Sequence, residues 1–240
     1  MLVAAAVCPC PPLLVPEVAT GAAPELDTVR AACTDAVGVL AAARPDLLVV
    51  VGPVRGDVGL ERYPEGSTGS FHGFGVGLDV RLGADRDTST GRALPGALAV
   101  GAWLLERTGW ANAPVEGLGV GESLAAGRCA EQGRDIAAEA ERVALLVMGD
   151  GSSCRTLKAP GYLDERAAPF DAAAARALGA ADTVALQALD GGLARELKAS
   201  GRAPWQVLAG AAEAAGTALR GTLLYEDAPY GVGYMVATWS

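Results

Sequence analysis

Three stretches of the chain are apolar without interruption: Leu2–Val7, "DLLVVVG" at 46–52 and "VALLVMG" at 143–149. Runs this short and this continuous predict strands buried on both faces, because a half-exposed strand would alternate. Between the first two, Leu26, Val29, Cys33, Val37 and Leu40 recur at helical spacing until "ARPD" stops them. Strand, helix, strand in that order predicts a parallel sheet covered on both sides. Residues 96–108 and 123–141 read as helices around a strand at "VEGLGV", 115–120, and an irregular stretch comes after the run at 143–149. From Pro169 to Gly221 the pattern is almost wholly helical, with Pro204 in a first turn and Trp205, Leu208, Ala212, Ala215 and Leu219 on one apolar face. The closing "TLLYEDAPYGVGYMVATWS" predicts two strands joined by a Pro and Gly turn. Pro53 to Pro95 differs in texture: Gly, Asp, Arg and Ser dominate, and Phe74, Val76, Leu78, Val80 and Leu82 alternate strictly, predicting a half-buried antiparallel strand. The sum is an α/β fold, one three-layer domain over 1–240 with a mostly parallel central sheet and antiparallel additions.

Composition narrows the picture. Of 240 residues, 51% are hydrophobic but only 5% aromatic, so the core is expected to be Ala, Val and Leu, with small side chains holding helices close to the sheet. A net charge of −9, with 19 Lys and Arg scattered singly, excludes nucleic-acid binding, which needs a basic stripe. No apolar run reaches the roughly 18 to 20 residues that span a bilayer, and "MLVAAAVC" lacks the basic start of a signal peptide. Five cysteines, an odd and sparse set, fit a reducing compartment, so a cytoplasmic location is expected.

Ligands of open α/β sheets collect beyond the carboxyl ends of the strands. Four clusters stand just past the predicted strands: Cys8 and Cys10; Gly52, Pro53, Val54 and Arg55; Asp150 with Ser152, Ser153, Cys154 and Arg155; and Tyr225, Glu226 and Asp227. They are expected to converge on one pocket. Cys8 and Cys10 are each succeeded by proline, which ends the strand so that a side chain can face that pocket.

"CPCPPLLVPEV", "VVVGP", "VMGDGSSCRTLKAPGYLDERAAPFDAAAARAL" and "LLYEDAPYGVGYMVA" together resemble, in the same order, the B-subunit family of class III extradiol ring-cleavage dioxygenases. The resemblance runs from Met1 to about Trp239 and is weakest between 55 and 95. It implies a non-haem Fe(II) held by two histidines and a carboxylate, with open positions for a catechol and O₂ and a further histidine as acid or base. Carried over by position, Cys10 stands where the first ligand histidine is expected. The second belongs in or just after "GPVRG", 52–56; Ser153 or Cys154 replaces the acid/base histidine, and Glu226 keeps the carboxylate place. The chain holds one histidine in all, His72 in "GSFHGFG", so two imidazoles cannot come from one chain. Thiolate in place of imidazole turns preference from Fe(II) toward softer metals such as Zn or Cu(I).

The reading is therefore a divergent relative with a degenerate metal site, whose retained pocket (Cys8, Gly52, Pro53, Arg55, Ser153, Tyr225) takes a small-molecule ligand or a soft metal through Cys10 and Glu226. Cys154, with a neighbouring Arg155 that would favour its thiolate, and Asp150 are the candidate catalytic groups. Two other classes stay open. One is an active ring-cleaving or other oxidoreductase built on Cys10, Glu226 and a further ligand. The other is a non-catalytic partner protein, for instance a homodimer formed through an exposed 169–220 helical segment. A cysteine nucleophile has no His or Lys base at a diagnostic spacing. Asp171 in "DERAAPFD" is assigned to a helix start, where carboxylates favour the dipole. "GLGVGES", 117–123, lacks a phosphate-loop register, so its glycines are assigned to close packing.

Overall fold

The computed structural model describes residues 1–56, 59–84, 92–216 and 218–240. The three continuous apolar runs become β1 (Leu2–Cys8), β2 (Leu47–Val54) and β7 (Val143–Met148). They lie side by side with β6 (Val115–Gly121) as parallel neighbours in the order β6-β2-β7-β1. Antiparallel strands extend both sides: β3 (Leu60–Tyr63) pairs with β6, while β9 (Tyr234–Trp239) pairs with β1 and β8 (Gly221–Asp227) with β9. The result is a seven-stranded sheet.

Alternate residues of the central strands feed two cores. Ala4, Ala6, Cys8, Leu48 and Val50 pack under α1 (Asp27–Ala42) and α2 (Gly96–Thr108). Ala5, Val7, Val49 and Val51 pack under α3 (Ala126–Ala137), α4 (Ala167–Ala180), α5 (Thr183–Gln187) and α7 (Arg202–Glu213). Small residues set the spacing, as the composition implies. A Cβ on Gly133 of α3 would strike the Val207 carbonyl and Ala211 nitrogen of α7, and one on Gly210 would strike the backbone of Ala130. These two helices touch backbone to backbone. Gly117 and Gly119 likewise sit against Tyr63, Leu82 and Val54, which gives the "GLGVGES" glycines their packing role.

Three expectations are corrected. The alternating stretch at 74–82 is not one strand: only β5 (Asp79–Arg81) forms, pairing with β4 (Thr68–Ser70) in a separate two-stranded ribbon. Phe74 instead sits in a 3-10 turn, 53% exposed, because Gly75 takes a left-handed conformation (φ 79°) that a continuing strand forbids. Second, β3 arises within the Gly- and Asp-rich stretch where no strand was expected, and it joins the main sheet. Third, the 169–220 segment is exposed only in part. Within it α7 is interior, with Arg202 through Ala211 all buried, while α4 (Ala167–Ala180), α5 (Thr183–Gln187) and α6 (Gly191–Glu196) carry exposed positions, Val184 among them. No described helix is long and apolar enough to cross a membrane.

Candidate functional site

Loops leaving β1 and β2 run toward the α1/α2 side, and those leaving β6 and β7 toward the α3/α4 side. At the carboxyl ends of these strands the chain therefore parts and leaves a crevice. A cleft of about 600 Å³ opens there, lined from four segments: Arg55 and Gly56 after β2; Glu122 and Ser123 after β6; Asp150, Ser153 and Pro160 after β7; and 194–200, which includes Arg195, Lys198 and Ser200. The last segment belongs to α6 (Gly191–Glu196) and the turn into α7.

Asp150 organises the crevice. The register of β1 against β7 pairs Cys8 with Met148, which brings Cys10 level with Asp150, and the Cys10 N–H donates to Asp150 Oδ1 at 2.8 Å. The Asp150 N–H donates to Ser200 Oγ at 3.1 Å, and its carbonyl accepts from the Gly201 N–H at 2.8 Å. That approach is open because Gly149 and Gly201 meet with no side chain between them. Burial pushes the Asp150 carboxyl up to about 6, against the opposing pull of the Cys10 N–H and thiol. The Cys10 thiol is itself raised well above its ordinary value, first by burial and then by the Asp150 charge. Desolvation thus holds both groups toward their neutral forms, and an ionised Asp150 further opposes a thiolate at Cys10.

The neighbouring loop is fixed by a residue whose role the sequence hid. Asp171 lies in the second turn of α4, fully buried, and not at the helix start. Its carboxylate accepts from the Ser152 N–H and the Ser152 hydroxyl, both at 2.7 Å, and from Arg155 Nη1 at 3.0 Å. It fits there because Gly151 and Gly233 leave room for it. On the other wall, buried Arg202 donates to the carbonyls of Glu122 and Leu124 and to Gln206 Oε1, tying the β6–α3 loop to α7. Gln206 in turn donates to the carbonyls of Leu186, Gln187 and Leu189.

The other sequence candidates divide. Arg55, Asp150 and Ser153 line the cleft, and Cys10 lies against Asp150. Gly52 is packed inside β2 against Ala97, Leu98 and Met148, with Pro53 beside it in the strand. Cys8 is fully buried in the α1 core, where its sulfur meets Cys33. Cys154 is not a reactive loop thiol. It is 2% exposed among Ala167, Phe170, Ala194, Leu197 and Ala199, burial raises its pKa, and the Arg155 expected to activate it is engaged by Asp171. Tyr225 packs on the α1 core from edge strand β8, while Glu226 and Asp227 are exposed on that strand. Neither Tyr225 nor Glu226 lines the cleft. His72 is exposed in its 3-10 turn, with Nε2 3.3 Å from Asp79 Oδ1.

This donor set does not fit the Fe(II) centre that the family resemblance implies. Cys10 has the half-buried Asp150 beside it, but the carboxylate expected at Glu226 points from an exposed edge and the one imidazole is engaged elsewhere. Among the described residues no three His, Cys, Asp or Glu side chains converge to hold a metal.

No protein-family model matches the chain, and no curated protein matches it in sequence. Among solved structures, an uncharacterized protein of Escherichia coli K12, JW3007, is similar in fold: TM-score 0.56 over 99% of each chain, at 16% identity. At that identity the likeness concerns fold alone.

Proposed function

We propose that this chain is a divergent extradiol-dioxygenase-like protein that binds a small organic ligand in the cleft at its strand ends and does not cleave catechols with iron. One observation carries the reading: a roomy cleft is built around Asp150, a desolvated carboxyl with a pKa of about 6, rather than around a set of metal ligands. Clefts of several hundred Å³ with a few convergent polar groups, one of them perturbed, are the usual form of ligand sites. Asp150 orients the ligand by accepting its hydrogen bonds, or donates one when protonated. The raised thiol of Cys10 disfavours the thiolate that a soft metal would need.

The test is oxygen uptake by protein purified without chelators, supplied with stoichiometric Fe(II) and a panel of catechols, with metal content measured alongside. The expected result is no uptake beyond that of free iron and no retained stoichiometric metal. Sustained turnover at stoichiometric Fe(II) would replace this reading with that of an active dioxygenase.

A further inference from the structure

The cleft gathers three cations. Arg55, Arg195 and Lys198 all line it, and among the described residues none of the three is ion-paired with an acid. Elsewhere some arginines meet carboxylates directly, as at Arg155–Asp171 and Arg166–Asp164, while others cap carbonyls or cover a ring, as Arg142 and Arg107 do. In a chain of net charge −9, a lining of three cations against two carboxylates, Asp150 and Glu122, runs against the sign of the molecule as a whole.

Lys198 is placed at the cleft by the end of α6. It stands one residue past the C-cap of α6 in a left-handed conformation, φ 56°, and the Ala199 N–H reaches back to the Ala194 carbonyl at 2.8 Å. That is the position where helices usually place glycine, since a Cβ there is strained. Arg44 after α1 and Ala181 after α4 take the same conformation, so what singles Lys198 out is that its side chain lines the cleft. The Lys198 ammonium makes one long bond, to the Pro160 carbonyl across the cleft at 3.4 Å.

The rest of the lining indicates what accompanies the charge. Asp150 and Glu122 accept hydrogen bonds, Ser123, Ser153 and Ser200 bring hydroxyls, and no aromatic ring is among the described lining residues. A planar catechol would find nothing to stack on.

We infer that the ligand is a small polyhydroxylated oxyanion, a sugar or polyol carrying a phosphate or carboxylate, with the anion held by Arg55, Arg195 and Lys198 and hydroxyls donating to Asp150 and Glu122. This rests on the small-molecule reading above and names the class of ligand within it. Phosphate and carboxylate share the chemistry the cations recognise; phosphate, with three oxygens to share among three donors, uses it more fully.

Calorimetric titration of the full chain tests the inference with glucose 6-phosphate, gluconate, glucose and catechol as probes. Glucose 6-phosphate or gluconate should bind, and their relative affinities tell phosphate from carboxylate; glucose should bind at least about tenfold more weakly, the worth of one charge-assisted contact. Lys198→Gly removes the cation while relieving its backbone, so this variant should unfold at the same or a higher temperature yet lose about tenfold in affinity. Arg195→Ala should lose a similar factor, and Arg107→Ala, on α2 over the Trp103 ring, none. Glucose binding as tightly as its phosphate, or Lys198→Gly binding unchanged, overturns the inference. Catechol binding while both oxyanions fail also overturns it but leaves the small-molecule reading standing; failure of all four probes overturns the inference and withdraws support from both.

Discussion

Replacing Asp150 by asparagine should make the protein more stable at neutral pH, and the gain should vanish in acid. Burial pushes this carboxyl up to about 6 from an ordinary value of 3.8. At about 1.4 kcal/mol per pKa unit, the ionised form costs the folded state up to ~3 kcal/mol relative to the unfolded chain. Below about pH 4 the group is protonated in both states and contributes nothing. Between there and about pH 6 the folded protein holds a proton the unfolded chain has lost, so stability falls as pH rises, and above about pH 6 the whole penalty is present. Asparagine never ionises, and its Oδ1 can still accept from the Cys10 N–H, now 2.8 Å from Asp150 Oδ1. The assay is urea unfolding of both proteins from pH 4 to 7.5. The stability difference, variant minus parent, should grow by about 2 to 3 kcal/mol across that range, roughly 1 M in the urea midpoint. A constant difference, or one that shrinks with pH, would refute the claim that Asp150 is a desolvated carboxyl and with it the chemistry given to the cleft.

Three further outcomes rest on the packing. Asp171→Ala should cost about 3 to 5 kcal/mol in chemical denaturation, because it leaves Ser152 and Arg155 facing a buried vacancy; amides 151–155 should lose exchange protection more than the rest of the chain. Gly133→Ala should destabilise by about 2 to 3 kcal/mol, since the added methyl meets fixed backbone of α7. Gly127→Ala on the same helix, with nothing within 4 Å, should be neutral or stabilising by up to about 1 kcal/mol. Iodoacetamide at pH 7 should label all five buried cysteines far more slowly in the native than in the urea-unfolded protein; a fast site below pH 7 would contradict the raised Cys10 and Cys154 thiols.

Much of the fold is legible in the sequence because burial on two faces leaves an unmistakable sign. The runs at 2–7, 46–52 and 143–149 admit hardly any polar residue, and they are the three strands at the sheet's centre. The stretch at 74–82 misleads because alternation marks a strand only where the intervening residues permit one. Gly73, Gly75 and Gly77 supply the period without the stiffness. In the site, Arg55, Asp150 and Ser153 sit on the loops that leave the strand ends, where the rule for open sheets looks for them. Arg195, Lys198 and Ser200 escape that rule, because they come from the end of a helix that folds back over the strand ends. No local signal marks them, since α1 and α4 also end on left-handed residues other than glycine, Arg44 and Ala181. Asp171 reads as an ordinary helix-start acid and Arg202 carries no signal, since a partner 19 or 78 residues away leaves no periodic trace. Glu226 was placed by resemblance, and an edge strand carries it away from Asp150.

The cleft around Asp150 is proposed to bind an organic ligand without a metal. Amide chemical shifts of the labelled protein, monitored while glucose 6-phosphate is added in the presence of EDTA, test it most directly. Saturable changes are expected at Arg55–Gly56, Glu122–Ser123, Asp150–Ser153 and Lys198–Ser200. Changes that require Fe(II), or that gather instead at Tyr225–Asp227, would contradict it.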